Sequence, residues 1–488
     1  MKVLKYFTLL IAVVLLASCD DFLDVNDDPN NPTSVAPSLI LPVAQNYTAR
    51  MIQDDRRVNC LGNLMMYNWS QSDGFSWYSD EFKYLVTSSF YRNIFSESYT
   101  NALKQYHQLE GLGAEYDNYK AIAKIMKAYH FQLLVDLYGD VPYTEALLRK
   151  ENATPKYDDA QTIYEDLIVQ LSAAIELIDN AEATKGPSSD DIVFGGDMTE
   201  WKKFANTIKM RILVRQSSMS GRDAYIKEQI SAIVAEGSGF ITGDVGVNPG
   251  YLQEENKQNP IWQAYGKEVS GSWTMNNQAT CASDYIITYL TDTKDPRIDF
   301  IYEKPASGHL GVPQGLLDYD TPVQDAYVPD KVSNLGTGIL KNYNQDAIIF
   351  TLAESNFNQA EAAFKGLMTG DAKTLYENGV KASFDYLGAT GYTGYIAQIK
   401  NLVKWESSSN KLQAIITQKW IAVNSITAEQ SWFDYSRTGY PAGLPISLQA
   451  SKSDRPVRLY YTSEEISSNG ANVPAQPDAF TGKIFWAK

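Results

Sequence analysis

The chain has 488 residues, 44% hydrophobic and 12% aromatic, and 42 basic against 58 acidic side chains give a formal charge of −16. That balance excludes counterion-release binding to nucleic acid or to anionic lipid as a starting expectation, while the length and apolar content allow a large buried core. Three cysteines are too few and too scattered for a disulfide framework or a zinc cluster, and Cys60 and Cys281 read as small buried apolar residues.

Lys2 and Lys5 form a basic start, and Tyr6 to Ala17 an apolar run of about twelve residues, too short to span a bilayer as a helix. Leu16-Ala17-Ser18-Cys19 follows and has the form of a bacterial lipobox, so residues 1–18 are expected to be a leader and Cys19 the lipidated first residue of the mature chain. One acyl chain holds a protein on a membrane only weakly, so firm attachment requires the several chains of a bacterial lipoprotein. Asp20-Asp21-Phe22-Leu23-Asp24-Val25-Asn26-Asp27-Asp28-Pro29 then reads as an acidic, turn-rich tether over 19–33. Its alternating oxygen side chains do not make a calcium loop. Pro29 stands where such a loop needs Gly, and Val35 where it needs Glu.

Beyond the tether the chain is mostly helical, with paired helices. Tyr67 to Tyr84 is an exception, interleaving Trp69, Phe75, Trp77, Tyr78 and Phe82 with Ser, Gln, Asp and Gly. Residues 92–112 read as a helix partnering a long amphipathic run from Tyr119 to Leu137, which Gly139 stops and Pro142 follows. Asp158-Asp159-Ala160-Gln161 reads as a capping box ahead of Ile163, Leu167, Leu171, Ala174, Ile175 and Ile178 on one helical face. Asp197-Met198-Thr199-Glu200 repeats that start signal before Trp201, Phe204, Ile208 and Ile212. Residues 239–345, rich in Gly, Pro, Asn and aromatics, break the helical regime again, and a stretch of that length without periodicity is expected to be functional. Amphipathic runs return at 352–368, 372–387 and 411–425, punctuated by Gly370 and Gly388. Helix hairpins in series bury their apolar faces only against neighbours, which is the logic of a tetratricopeptide-like array.

The aromatic segments suggest a chemistry. A sugar ring shows C–H groups on its faces and hydroxyls round its rim, so it needs a flat aromatic platform edged by planar amides and carboxylates. Ser272-Trp273-Thr274-Met275-Asn276-Asn277-Gln278 supplies that mixture within seven residues. The candidate platform and hydrogen-bonding residues are therefore Trp69, Phe75, Trp77, Tyr78, Trp262, Tyr265, Trp273, Asn276 and Asn277. Tyr251, Tyr319 and Tyr327 belong to the same aromatic-rich region.

Catalysis finds little support. The three histidines divide into His107 and His130 within expected helices and His309 in a Gly-rich loop. No GxSxG elbow, HExxH, phosphate-binding GxxxxGK[ST] or dinucleotide GxGxxG occurs. A glycosidase needs only two carboxylates, and nothing singles out a pair. The expectation is a binding protein with no catalytic residue, metal or cofactor.

Taken together, the motifs resemble the SusD/RagB family of Bacteroidetes outer-membrane lipoproteins. The matching stretches are Cys19-Asp20-Asp21-Phe22-Leu23, Asp28 to Thr33, Leu134-Val135-Asp136-Leu137-Tyr138-Gly139-Asp140-Val141-Pro142-Tyr143 and Gly196 to Asn206. Asp295-Pro296-Arg297, Gln418-Lys419-Trp420-Ile421-Ala422, Trp432 and Arg437-Thr438-Gly439-Tyr440-Pro441 continue them in collinear order. Ser436, where an arginine usually precedes Arg437, and the spaced pair Arg455 and Arg458 depart from the pattern. The resemblance, closest to the starch-binding-associated branch, implies one domain over 34–488. It would hold about four tetratricopeptide-like pairs, at about 92–218 and 350–437, and loop-rich ligand-binding parts at about 62–90 and 239–345. It further implies a non-enzymatic surface lipoprotein that captures oligosaccharide for a SusC-like TonB-dependent outer-membrane transporter. Peptide or other nutrient capture of the RagB type, and a helical scaffold that only docks proteins, stay open beside it. The family's ligand residues do not carry over, because its binding loops vary between members.

Overall fold

The computed structural model describes residues 35–148, 151–182, 185–317 and 324–487. Cys19, the tether and Tyr319 lie outside them.

The long helix is Asp117–Tyr138. Ile122, Ile125, Met126, Leu133, Leu134 and Leu137 are all buried along it. It ends at Gly139, whose φ of 77° suits a residue without a Cβ. It packs against Ala160–Asn180, which packs in turn against Met198–Arg215. Leu352–Phe364 pairs with Ala372–Leu387 and also lies on Lys411–Val423, which leads to Glu429–Thr438. The molecule is thus mostly α, an array of helical hairpins as the periodicity implies. No helix among the described residues is long and apolar enough to cross a membrane.

Local chemistry explains where these helices start. The Asp197 carboxylate accepts from the backbone N–H groups of Thr199 and Glu200, and the Asp371 carboxylate and Asn410 amide oxygen cap two later helices in the same way. The capping box at 158–161 is displaced by one residue. Asp159 is the cap, accepting from Thr162, while the Asp158 carboxylate accepts from the backbone N–H of Tyr143 and Thr144. Residues 92–112 also differ from expectation, being Arg92–Glu97, a π-helical turn at Ser98–Leu103, and Lys104–Glu110. Each piece is shorter than a periodicity argument can resolve.

The array is tied internally by buried charge. Both terminal guanidinium nitrogens of Arg437, Nη1 and Nη2, donate to the Glu361 carboxylate at 2.6 Å, and Arg437 Nε donates to Asp434 at 2.9 Å. Arg215 reaches Asp434 at 3.1 Å, and Lys419 pairs with it at 2.9 Å. Four helices therefore meet at one ionic cluster with almost no solvent contact. Nearby, Arg297 is fully buried and bonds Asp295, Ser383 and Gln418, which gives the Asp295-Pro296-Arg297 motif a structural task.

Strands are few: Trp69–Gln71 with Thr280–Ala282, Val141–Pro142 with Tyr157–Asp158, and Val245–Val247 with Ala347–Phe350, all antiparallel. The 239–345 region is not pure loop. It contains short helices at Pro260–Tyr265, Met275–Ala279, Asp284–Asp292 and Ile298–Ile301. Cys60 and Cys281 are both buried and unpaired by disulfide.

Candidate functional site

The two aromatic segments, some 200 residues apart in sequence, are brought together by backbone pairing. Helix Val58–Met65 lies against the start of Glu429–Thr438 so closely that a Cβ on Gly62 would stand 2.1 Å from the Glu429 nitrogen. The Asn63 amide oxygen accepts from the backbone N–H of Ser425, and the Trp69 indole N–H donates to the Ser425 hydroxyl. Fixed there, Trp69–Gln71 pairs with Thr280–Ala282 in the register Trp69 to Ala282 and Gln71 to Thr280. Two further bonds extend the seam: the Ser72 hydroxyl donates to the Gln278 carbonyl, and the Trp77 indole N–H to Asn276 Oδ1 at 2.6 Å.

Beyond the seam opens a cavity of about 520 Å³, with Trp273, Asn277 and Gln278 on one side and Glu303, Asp330 and Asn334 among its other walls. Thr274 caps helix Met275–Ala279 through its hydroxyl, and that short helix sets Asn277, whose amide nitrogen donates to the Tyr265 carbonyl at 2.7 Å. Trp273 is 39% exposed, and Lys267 Nζ lies 4.6 Å from its ring centroid. On the far wall the Glu303 backbone N–H donates to the Asn334 carbonyl. Burial pushes the Glu303 carboxyl above the usual range, against the opposing field of Lys267. Asn334 Oδ1 is buried and has no protein donor. An exposed indole face beside amides, carboxylates and the Lys304 ammonium can stack one ligand face and exchange hydrogen bonds round its edge.

The sequence candidates divide sharply. Trp273 and Asn277 line the cavity. Asn276 and Trp77 form the seam bond beside it, and Phe75 stands edge-on to Trp77 with centroids 5.6 Å apart. Trp69, Tyr78 and Tyr265 are corrected to core residues. All are at most 1% exposed, and the two tyrosine hydroxyls are satisfied inside, by Thr280 for Tyr78 and by Asp55 for Tyr265. Trp262 is half-buried and packs on the core, its ring lying where a Cβ on Gly266 would be. Glu303, Lys304, Asp330 and Asn334 carry no sequence signal: the adjacent pair Glu303-Lys304 and the residues Asp330 and Asn334 are ordinary polar side chains in irregular segments with no motif spacing.

A larger cavity of about 670 Å³ lies on the helical side among Phe95, Tyr99, Pro142 and Leu147. Its accessible walls are mainly apolar, although Ser96, Thr100, His107, Asn152, Glu464 and Glu465 also line it, whereas the cavity beside Trp273 is walled mainly by polar groups around an exposed indole and is the better match to a polyhydroxyl ligand.

Residues 29–462 match the SusD-like family described as starch-binding associating with outer membrane. No curated protein matches the chain in sequence. Among solved structures, a SusD homolog from Bacteroides uniformis is 24% identical with a TM-score of 0.76, over 92% of this chain and 99% of that one. A chitin-binding SusD homolog from Flavobacterium johnsoniae is 22% identical with a TM-score of 0.74, over 92% and 98%. A SusD homolog from Bacteroides thetaiotaomicron is 21% identical with a TM-score of 0.73, over 93% and 99%.

Proposed function

Because the chain belongs to the SusD-like family of starch-binding, outer-membrane-associated proteins, we propose that it captures an oligosaccharide in the cavity beside Trp273 and delivers it to a SusC-like TonB-dependent transporter. The observation that carries the sugar reading is the pairing of an exposed indole with convergent planar polar groups, Asn277, Glu303 and Asn334, in one 520 Å³ space. Its binding role is non-enzymatic. Family membership and the lipobox support attachment at the cell surface through lipid on Cys19, with residues 19–33 as tether and 34–488 as one domain. The SusD homolog from Flavobacterium johnsoniae that binds chitin supports a glycan as the ligand class.

The test is titration of residues 20–488 against a broad panel of oligosaccharides by calorimetry, with a peptide panel in parallel. At least one glycan is expected to bind, and Trp273→Ala to weaken it by about 1 to 3 kcal/mol, as for a stacked aromatic hot spot. Peptide binding without any glycan binding would replace the sugar reading with nutrient capture of the RagB type.

A further inference from the structure

The charges on the walls of the Trp273 cavity are unevenly matched, and the mismatch bears on what the cavity takes. Its charged wall residues are Glu303, Lys304 and Asp330. Lys304 is already committed, its ammonium standing 3.8 Å from the Asp299 carboxylate. Glu303 and Asp330 are not: among the described residues, neither side chain accepts a hydrogen bond or forms an ion pair. Both remain open to a ligand, Asp330 on the exposed surface and Glu303 half-buried at the cavity wall. The field of Lys267 reaches Glu303, but its ammonium lies over the Trp273 ring and pairs with neither carboxylate.

The backbone brings these groups to one space. Helix Met275–Ala279, which follows Trp273, runs into strand Thr280–Ala282, where Cys281 bridges to Asn334. The Asn334 carbonyl in turn accepts from the Glu303 N–H at 2.8 Å. An indole platform and an unpaired carboxylate are thereby fixed on neighbouring segments by main-chain bonds. Partial withdrawal of a carboxylate from water without a partner is unfavourable, and burial accordingly raises the Glu303 carboxyl above its ordinary range. A positive charge brought by the ligand relieves that penalty.

Three kinds of sugar meet this wall differently. A uronic acid or a sulfated sugar brings like charge to Glu303 and Asp330. A neutral sugar offers hydroxyl donors and leaves the charge unmatched. An ammonium in place of one hydroxyl offers three donors and the missing charge, and its bond to a carboxylate is the stronger kind. The exposed indole can stack the ring that carries it. Resting on the saccharide reading of this cavity, we infer that its ligand is an oligosaccharide bearing a protonated amine, an amino sugar whose nitrogen is not acylated, and that Glu303 and Asp330 select it.

Matched sugars differing at one substituent test this on residues 20–488, at slightly acidic pH where sugar amines are protonated. Calorimetry compares β-1,4-linked oligomers of glucosamine, N-acetylglucosamine and glucose of equal length. Saturation-transfer NMR compares glucosamine with glucose, galactosamine with galactose and mannosamine with mannose. In at least one matched set the amine should bind about tenfold tighter, the effect of one charge-assisted hydrogen bond. Glu303→Gln, which keeps the side-chain shape, and Asp330→Asn, at an exposed position, should each narrow that lead, and added salt should narrow it too. Neutral or acidic glycans binding while no amine leads its set, or a lead that both variants leave intact, would overturn this inference and leave the sugar reading standing. A broad panel from which no glycan binds would remove the sugar reading itself.

Discussion

Trp273 stands 39% exposed above the cavity, whereas Trp69 is fully enclosed with its indole N–H on the Ser425 hydroxyl. Truncating the first removes surface that water already wets, together with one cation–π contact to Lys267. Trp273→Ala is therefore expected to change unfolding free energy by less than about 1 kcal/mol. Trp69→Ala leaves a large void and removes the indole donor from the Ser425 hydroxyl, which keeps its own bond to Asn424 Oδ1, and should cost about 3–5 kcal/mol. Urea melts of the two variants check this, and equal losses would contradict the division. That division was not legible in the sequence for a physical reason. Trp69–Gln71 is a three-residue strand buried on both faces, so the usual in-out alternation that would mark Trp69 as core is missing. Glu303 and Asn334 were illegible in the opposite sense, as ordinary polar residues that line the cavity only because two irregular segments, joined by the Glu303 N–H to Asn334 carbonyl bond, converge there.

At the scale of elements, the contact between Val58–Met65 and Glu429–Thr438 decides how firmly the site is mounted, since the Trp69 strand hangs from the first helix. Gly62→Ala forces a methyl to within 2.1 Å of backbone unless the helices part. It is expected to destabilise by about 1–3 kcal/mol, as overpacking does, and to weaken glycan binding as well. Calorimetric titration alongside thermal melting checks both, and unaltered values would mean that the helices separate freely. Element starts were legible where capping is local: Asp197 sits two and three residues from the N–H groups it binds. The short helices Pro260–Tyr265 and Met275–Ala279 were not, because five or six residues fall short of two helical turns and their caps, Asn259 and Thr274, resemble ordinary turn residues.

For the whole molecule, buried charge couples stability to pH. Burial alone would raise Glu361, but the Arg437 guanidinium holds it at about 2, so its contribution is complete above the ordinary 4.5 and is lost as pH falls toward 2. Burial lowers His130 to about 3, which likewise withdraws stability as pH drops below the ordinary 6.5. Glu429 runs the other way. Burial raises it to about 7, so its contribution is complete below 4.5 and is lost as pH rises through 7. Glu429→Gln should therefore leave the melting temperature nearly unchanged at pH 4.5 and raise it at pH 8. A difference independent of pH would remove Glu429 from this role. The hairpin array was legible from periodicity, but this cluster was not, because Arg215 and Asp434 are 219 residues apart. The placement of Lys267 over Trp273 has a consequence for how a ligand can leave. With a cation covering one face of the indole, a sugar bound as proposed would be held from one side only, like a card on a table rather than between two fingers. No jaw would need to open for it to lift away, so on that reading residence time would follow the area of contact and not the rate of a protein motion.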